Sequence, residues 1–128
     1  MKIQHSKPYI DEKEAIEVAK VVNSGKHSTL DLVKEFEEKF SEMFNIKYTK
    51  ATNSGTSAVH LALLALNIKP NDEVILPSYI CQSVLNAIKY INATPILADI
   101  EENNFNISSN TIKNLITKKT KAIIVPHM

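Results

Sequence analysis

The chain has 128 residues, of which 44% are hydrophobic and 23% charged, and this composition predicts a globular protein without low-complexity tracts. Its fifteen basic residues are all lysines and are spread among fourteen acids, so the net charge is +1 and no nucleic-acid footprint is visible. Because arginine is absent, an anion site has to be built from lysines, hydroxyls and backbone amides.

The sequence shows no sign of targeting to a membrane or to an oxidising compartment. The first ten residues include Lys2, Lys7 and Pro8 and no apolar core, and no later apolar run approaches the roughly 20 residues of a span. The single cysteine, Cys81, excludes an internal disulfide. We therefore expect a cytoplasmic protein, and the scattered histidines lead us to expect no metal site.

Two amphipathic helices are predicted at the start of the chain. The first covers 11–23, with Gly25 just beyond its end as a stop signal. The second covers 31–44 and carries an apolar stripe that includes Phe36 and Phe40. We expect this aromatic stripe to be part of the core.

The remaining chain alternates between short apolar runs and helical patterns. Strands are predicted over 48–52, 73–76, 95–100 and 121–125, and helices over 56–66, 81–91 and 109–117. This alternation indicates the α/β class, with a mostly parallel sheet flanked by helices. The helix over 56–66 is apolar nearly all round, which predicts burial on more than one side. Ligands in such sheets lie beyond the carboxyl ends of the strands.

The segment 53–58 is the strongest candidate for a binding site. Gly55 is one of only two glycines, which suggests a positive φ or the close approach of a ligand. The free N–H groups of a helix start, with the hydroxyls of Thr56 and Ser57, form a predicted phosphate cradle. The alternative is a helix start in which Ser54 or Thr56 serves only as the cap.

Two other residues carry candidate chemistry. His60 fits a packing role better than a ligand role. A thiolate nucleophile at Cys81 is the weaker alternative, because only its place at a helix start would make its surroundings electropositive.

Several motifs together resemble one enzyme family. The blocks 53–58, 72–79, 86–88 and 93–95 occur in the order and spacing of the DegT/DnrJ/StrS aminotransferases. The resemblance implies a pyridoxal-phosphate (PLP) enzyme of the aspartate-aminotransferase fold, active in cell-surface polysaccharide biosynthesis. Such enzymes transfer an amino group from a donor such as glutamate to a nucleotide-linked keto sugar, and they are homodimers with the active site at the interface.

The resemblance also implies a domain organisation and site residues. Residues 1–30 would be an N-terminal arm and helix, and 31–128 the first part of the PLP-binding large domain. Gly55, Thr56 and Ser57 match the loop that holds the cofactor phosphate. Cys81 stands where the family usually has an aromatic residue over the pyridine ring; the alternative for Cys81 is a buried small side chain.

The family's remaining catalytic groups do not match this sequence. Its pyridinium-pairing aspartate and its Schiff-base lysine lie beyond the segment that matches 125–127, so no lysine of the chain takes the catalytic role. We therefore expect residues 1–128, as part of the large domain, to be inactive alone. One alternative is a non-catalytic remnant that self-associates. A nucleotide-binding Rossmann module is the weaker alternative, because no G-x-G-x-x-G motif follows any predicted strand.

Overall fold

The computed structural model describes residues 6–26 and 30–127. Their contacts divide them into two compact units, one ending at Ala51 and one beginning at Thr52; the predicted family boundary after residue 30 stays a prediction. The elements in chain order are α1 (Glu12–Asn23), α2 (Asp31–Phe44), α3 (Gly55–Ala65), β1 (Glu73–Pro77), α4 (Gln82–Tyr90), β2 (Thr94–Ala98), α5 (Ser109–Ile112), a 3-10 helix (Lys113–Leu115) and β3 (Thr120–Ile123).

Both ends of α1 follow the predicted signals. A capping box closes its start: the Lys13 amide donates to Asp11 Oδ1 at 2.8 Å, and the Asp11 amide donates to Glu14 Oε2 at 2.8 Å. At the other end Ser24 is the cap and Gly25 follows with φ of 69°, the left-handed conformation that glycine adopts most readily.

The aromatic stripe of α2 is not part of a core, so that prediction is wrong. The rings of Phe36, Phe40 and Phe44 follow one another along the helix in tilted contacts, with successive centroids 5.9 and 4.5 Å apart. They are 38–57% exposed, and no residue of α2 is buried. The helical spacing determines that these rings share one face, but it does not determine whether another layer covers that face.

The predicted strand over 48–52 does not form. Its polar groups pair with side chains of α2 instead of with a neighbouring strand: Thr49 Oγ1 hydrogen-bonds Ser41 Oγ at 2.7 Å, and the Ala51 amide donates to Glu37 Oε1 at 2.9 Å. A β-strand needs a partner backbone for its amides. Here a helix supplies the partners, and the segment stays irregular.

The second unit is a parallel α/β layer, which confirms the predicted class. Within the described residues its sheet has three strands in the order β2-β1-β3, with Ile75 of β1 paired to Ile96 on one side and to Ile123 on the other. Helices α3 and α4 pack against each other. The helix predicted over 109–117 is shorter than expected, because α5 gives way to the 3-10 helix after four residues.

The core of this unit lies between the sheet and the two helices. Its buried members are Leu63, Ile68, Val74, Leu76, Ala87, Ile88, Ile91 and Ala93. Leu63 is the single buried residue of α3, whereas Leu61 and Leu64 are 45% and 51% exposed. The predicted burial of α3 on several sides is therefore wrong, because the sheet and α4 cover only one side of it.

Candidate functional site

The carboxyl ends of β1 and β3 form the edge of the sheet that carries the candidate site. The two strands are parallel neighbours, and the Ile124 amide continues their pairing by donating to the Ile75 carbonyl at 2.8 Å. The chain crosses from β2 back over β1 to reach β3, so the connections change direction at β1. This is where ligands bind in open parallel sheets.

An open cavity of about 680 Å³ lies at this edge. Its walls are mostly apolar and come from α3, the loop after β1, the start of α4 and the residues after β3: Val59, Tyr79, Ile80, Cys81, Val84, Ile124, Val125 and Pro126. The volume falls in the usual range for sites of small molecules and cofactors, roughly 300–1,000 Å³.

The start of α3 has the free backbone donors that the sequence predicted. Ser54 is the N-cap, and its Oγ accepts a hydrogen bond from the Ser57 amide at 3.1 Å. The amides of Gly55 and Thr56 and the Thr56 hydroxyl have no hydrogen-bond partner among the residues that the structure describes. The cap is thus Ser54 and not Thr56, and its bond to the Ser57 amide leaves two neighbouring amides for an anion.

Gly55 does not have a positive φ, so that part of the prediction is wrong. It is the first residue of α3, and the left-handed glycine of the described chain is Gly25. A Cβ built on Gly55 would meet no atom within 4 Å. Of the two explanations for this glycine, the positive φ is excluded, and the close approach of a ligand stays a prediction.

Cys81 lies on the cavity wall and is exposed, so it is not the buried apolar residue of the alternative prediction. It is the N-cap residue of α4. The Ser83 hydroxyl donates to Cys81 Sγ at 3.1 Å, and this bond, with a second from the Ser83 backbone, lowers the pKa of the thiol below its ordinary value.

The cradle and Cys81 belong to one region of the second unit. Gly55, Thr56 and Ser57 do not line the cavity, but Val59 does. Val59 follows Gly55 by one helical turn on the same face of α3, about 6 Å along the helix axis.

Sequence reasoning missed Ser83 and the cavity wall formed by 124–126. The wall could have been found by applying the carboxyl-end rule to the strand predicted over 121–125.

The other titratable candidates lie outside this arrangement. The His60 ring makes an edge contact with the Tyr90 ring, with centroids 5.5 Å apart, which supports the packing role. Over residues 6–26 and 30–127 there is no group of three or more His, Cys, Asp or Glu side chains that could hold a metal. In the same residues, no helix has the length and apolarity needed to cross a membrane.

Curated relatives of the chain include a GDP-perosamine synthase and a spore coat polysaccharide biosynthesis protein. GDP-perosamine synthase of Escherichia coli O157:H7 is 44% identical over 96 residues, which cover 75% of this chain and 26% of the relative. The spore coat polysaccharide biosynthesis protein SpsC of Bacillus subtilis is 38% identical over 125 residues, which cover 98% of this chain and 32% of SpsC. The chain thus spans about a quarter to a third of the length of these relatives.

Solved structures of PLP enzymes share this fold. One is a Streptococcus pneumoniae protein described as a sugar aminotransferase, in its PMP (pyridoxamine phosphate) form. It superimposes on this chain with a TM-score of 0.89 at 34% identity, and the match covers 98% of this chain and 32% of the S. pneumoniae chain. Its PLP form matches with a TM-score of 0.88. PLP is therefore the cofactor that the fold and its neighbours imply.

The residues present fit such a cofactor. A phosphate needs hydrogen-bond donors, and two unpaired amides and one unpaired hydroxyl stand at the start of α3 beside a glycine that leaves the approach open. An aromatic ring needs apolar walls, and the cavity one turn further along α3 provides them.

The sequence profile of the DegT/DnrJ/EryC1/StrS aminotransferase family matches residues 8–128, nearly the whole chain. The resemblance drawn from the motifs is therefore confirmed, and the chain belongs to this aminotransferase family.

Proposed function

We propose that residues 1–128 form the phosphate-binding and ring-flanking part of the cofactor site in a PLP-dependent aminotransferase that acts on nucleotide-linked keto sugars. The proposal rests on one observation: the backbone amides of Gly55 and Thr56 have no hydrogen-bond acceptor within the described residues, and they lie one helical turn from an apolar cavity. The proposal assigns the reaction to the cytoplasm, with an amino acid such as glutamate as donor.

The chain's own residues would bind and orient the cofactor. The amides of Gly55 and Thr56 and the Thr56 hydroxyl donate hydrogen bonds to phosphate oxygens, with support from the helix dipole. Val59 and Cys81 would lie beside the ring, in a cavity whose walls are mostly apolar. When bound, the cofactor itself supplies the electron sink on which the amino group is carried.

We further propose that these residues do not catalyse transamination by themselves. None of the lysines that the structure describes lines the cavity. No lysine amine of these residues is thus placed to hold the cofactor covalently, and neither hydroxyls nor backbone amides can replace it.

Binding of PMP to the 128-residue chain tests the first proposal, because PMP carries its own amine and needs no covalent lysine. Isothermal titration calorimetry should detect PMP and inorganic phosphate competing for one site. Absence of binding by both ligands would overturn the assignment of the site.

Reduction by borohydride in the presence of PLP, followed by peptide mapping, tests the second proposal. Slow, scattered labelling of surface lysines is the expected result. A single lysine labelled stoichiometrically, together with turnover, would contradict it.

An oligomer is part of the same proposal. The outer side of α3 exposes Leu61 and Leu64, and Leu66 just beyond the helix is 65% exposed. An apolar helix face of this kind favours association with another surface. We propose that a second copy of the chain covers it, as in the homodimers that the family resemblance implies.

A further inference from the structure

One aromatic side chain stands on the wall of the cavity at the carboxyl ends of β1 and β3. Among the described residues that line this cavity, Tyr79 alone is aromatic. It follows the end of β1 by two residues, in the loop that leads to α4, and it is 56% exposed. Its hydroxyl has no hydrogen-bond partner in the described part of the chain. The ring and the hydroxyl of Tyr79 are therefore both accessible from the cavity.

The loop after β2 supplies a second ring that packs against Tyr79. The ring centroids of Tyr79 and Phe105 are 5.7 Å apart, in a tilted contact. This distance is typical of favourable aromatic pairs, in which each ring restricts the orientation of the other. Phe105 does not line the cavity itself. Its effect on the cavity therefore passes through Tyr79.

The backbone of Phe105 has a conformation that does not suit its side chain. Its φ is 58°, in the left-handed region that glycine and asparagine enter more readily than bulky residues. Backbone bonds close the turn that imposes this conformation: the Phe105 amide donates to the Glu101 carbonyl at 3.0 Å, and the Glu101 amide donates to the Asn106 carbonyl at 2.9 Å. Phe105 is also 53% exposed, so burial compensates for only part of the cost. The aromatic contact with Tyr79 is what a phenylalanine adds at this position.

We infer that Tyr79 supplies an aromatic contact to the ring of the bound cofactor, and that Phe105 is the positioning residue that holds Tyr79 at the cavity. The inference rests on the proposed function. It adds a third neighbour of the ring to Val59 and Cys81, neither of which is aromatic. Two aromatic rings in contact gain more than the burial of their area provides, so Tyr79 should contribute measurably to affinity.

The first experiment compares PMP with inorganic phosphate, because only PMP carries a ring. Binding of both to the 128-residue chain is measured by calorimetry. Tyr79→Leu removes the aromatic ring and keeps an apolar side chain, so it should weaken PMP binding about three- to tenfold and leave phosphate binding unchanged. Tyr79→Phe is the matched control: it keeps the ring and should bind both ligands as the wild type does.

Variants of Phe105 test the positioning role. Phe105→Asn removes the ring but suits the left-handed conformation, so it should weaken PMP binding about two- to fivefold without lowering the melting temperature or the affinity for phosphate. Phe105→Tyr keeps a ring and should restore the affinity for PMP. In aromatic 1H–13C spectra without ligand, the ring resonances of Tyr79 should move in Phe105→Asn and move less in Phe105→Tyr.

The outcomes separate the inference from the proposed function. If the wild-type chain binds both ligands and Tyr79→Leu keeps their ratio of affinities, Tyr79 does not contact the cofactor ring and the inference is overturned, while the phosphate site stands. Unchanged PMP binding by Phe105→Asn, or weaker binding of PMP and phosphate alike with a lower melting temperature, would overturn the positioning role. If the wild-type chain binds neither ligand, the proposed function fails and the inference fails with it.

Discussion

Replacing Gly55 by alanine should separate the stability of α3 from its ability to bind a phosphate. Gly55 is the first helical residue, its φ is not in the left-handed region, and an added Cβ would touch nothing within 4 Å. Alanine then mainly lowers the entropy of the unfolded chain, a gain of about 0.5 kcal/mol. For a unit of this size we expect the melting temperature to rise by about 2–4 °C.

The same substitution should impair the cradle. The Cα–Cβ bond of a helical residue tilts towards the helix N-terminus, so the methyl group would enter the space in front of the free amides. Loss of one charge-assisted hydrogen bond costs about 1.5–3 kcal/mol. Phosphate and PMP should therefore bind roughly ten- to a hundredfold more weakly to Gly55→Ala, as measured by calorimetry.

Gly25→Ala is the matched control, because a Cβ on Gly25 also meets no atom within 4 Å. Gly25 has a φ of 69°, where a side chain costs about 1 kcal/mol, so this variant should lose stability and keep its affinity for phosphate. Undiminished binding by Gly55→Ala would show that no ligand approaches Gly55. A loss of stability equal to that of Gly25→Ala would refute the helical conformation assigned to Gly55.

Three further predictions concern charge, the thiol and association. Lys50 and the Ala51 amide lower the pKa of Glu37. The stability that Glu37 contributes should therefore be present above about pH 4.5 and be lost as acid protonates the carboxylate. In acid titrations followed by circular dichroism, Glu37→Gln should lack this acid-sensitive loss of stability. Alkylation of Cys81 by iodoacetamide should have its pH midpoint moved upwards in Ser83→Ala, and coinciding midpoints would exclude the hydrogen bond as the cause. Light scattering across a concentration series should give a mass above the monomer that Leu64→Lys reduces, whereas a wild-type monomer at every concentration would refute the proposed association.

The sequence by itself determined the features that depend on neighbours along the chain. Helix α2 begins at Asp31 and ends at Phe44 as predicted, and Gly25 follows the end of α1. Capping groups and helical spacing act over three or four residues, so both can be read without a tertiary structure. The strands β1 and β3 and the parallel class were also predicted from the sequence, because short apolar runs alternate with helical patterns along the chain.

Only the tertiary structure decided what those elements contact. The segment over 48–52 has the composition of a strand, but its partners are Ser41 and Glu37 on a helix. Helix α3 is apolar all round, yet one side of it alone is covered. The Ser57 hydroxyl donates a hydrogen bond to Asn53 Oδ1 at 2.9 Å, and the residue types alone do not determine that distance. Burial, strand pairing and hydrogen-bond direction are properties of pairs of atoms brought together by folding, and a pattern along the chain specifies only one member of each pair.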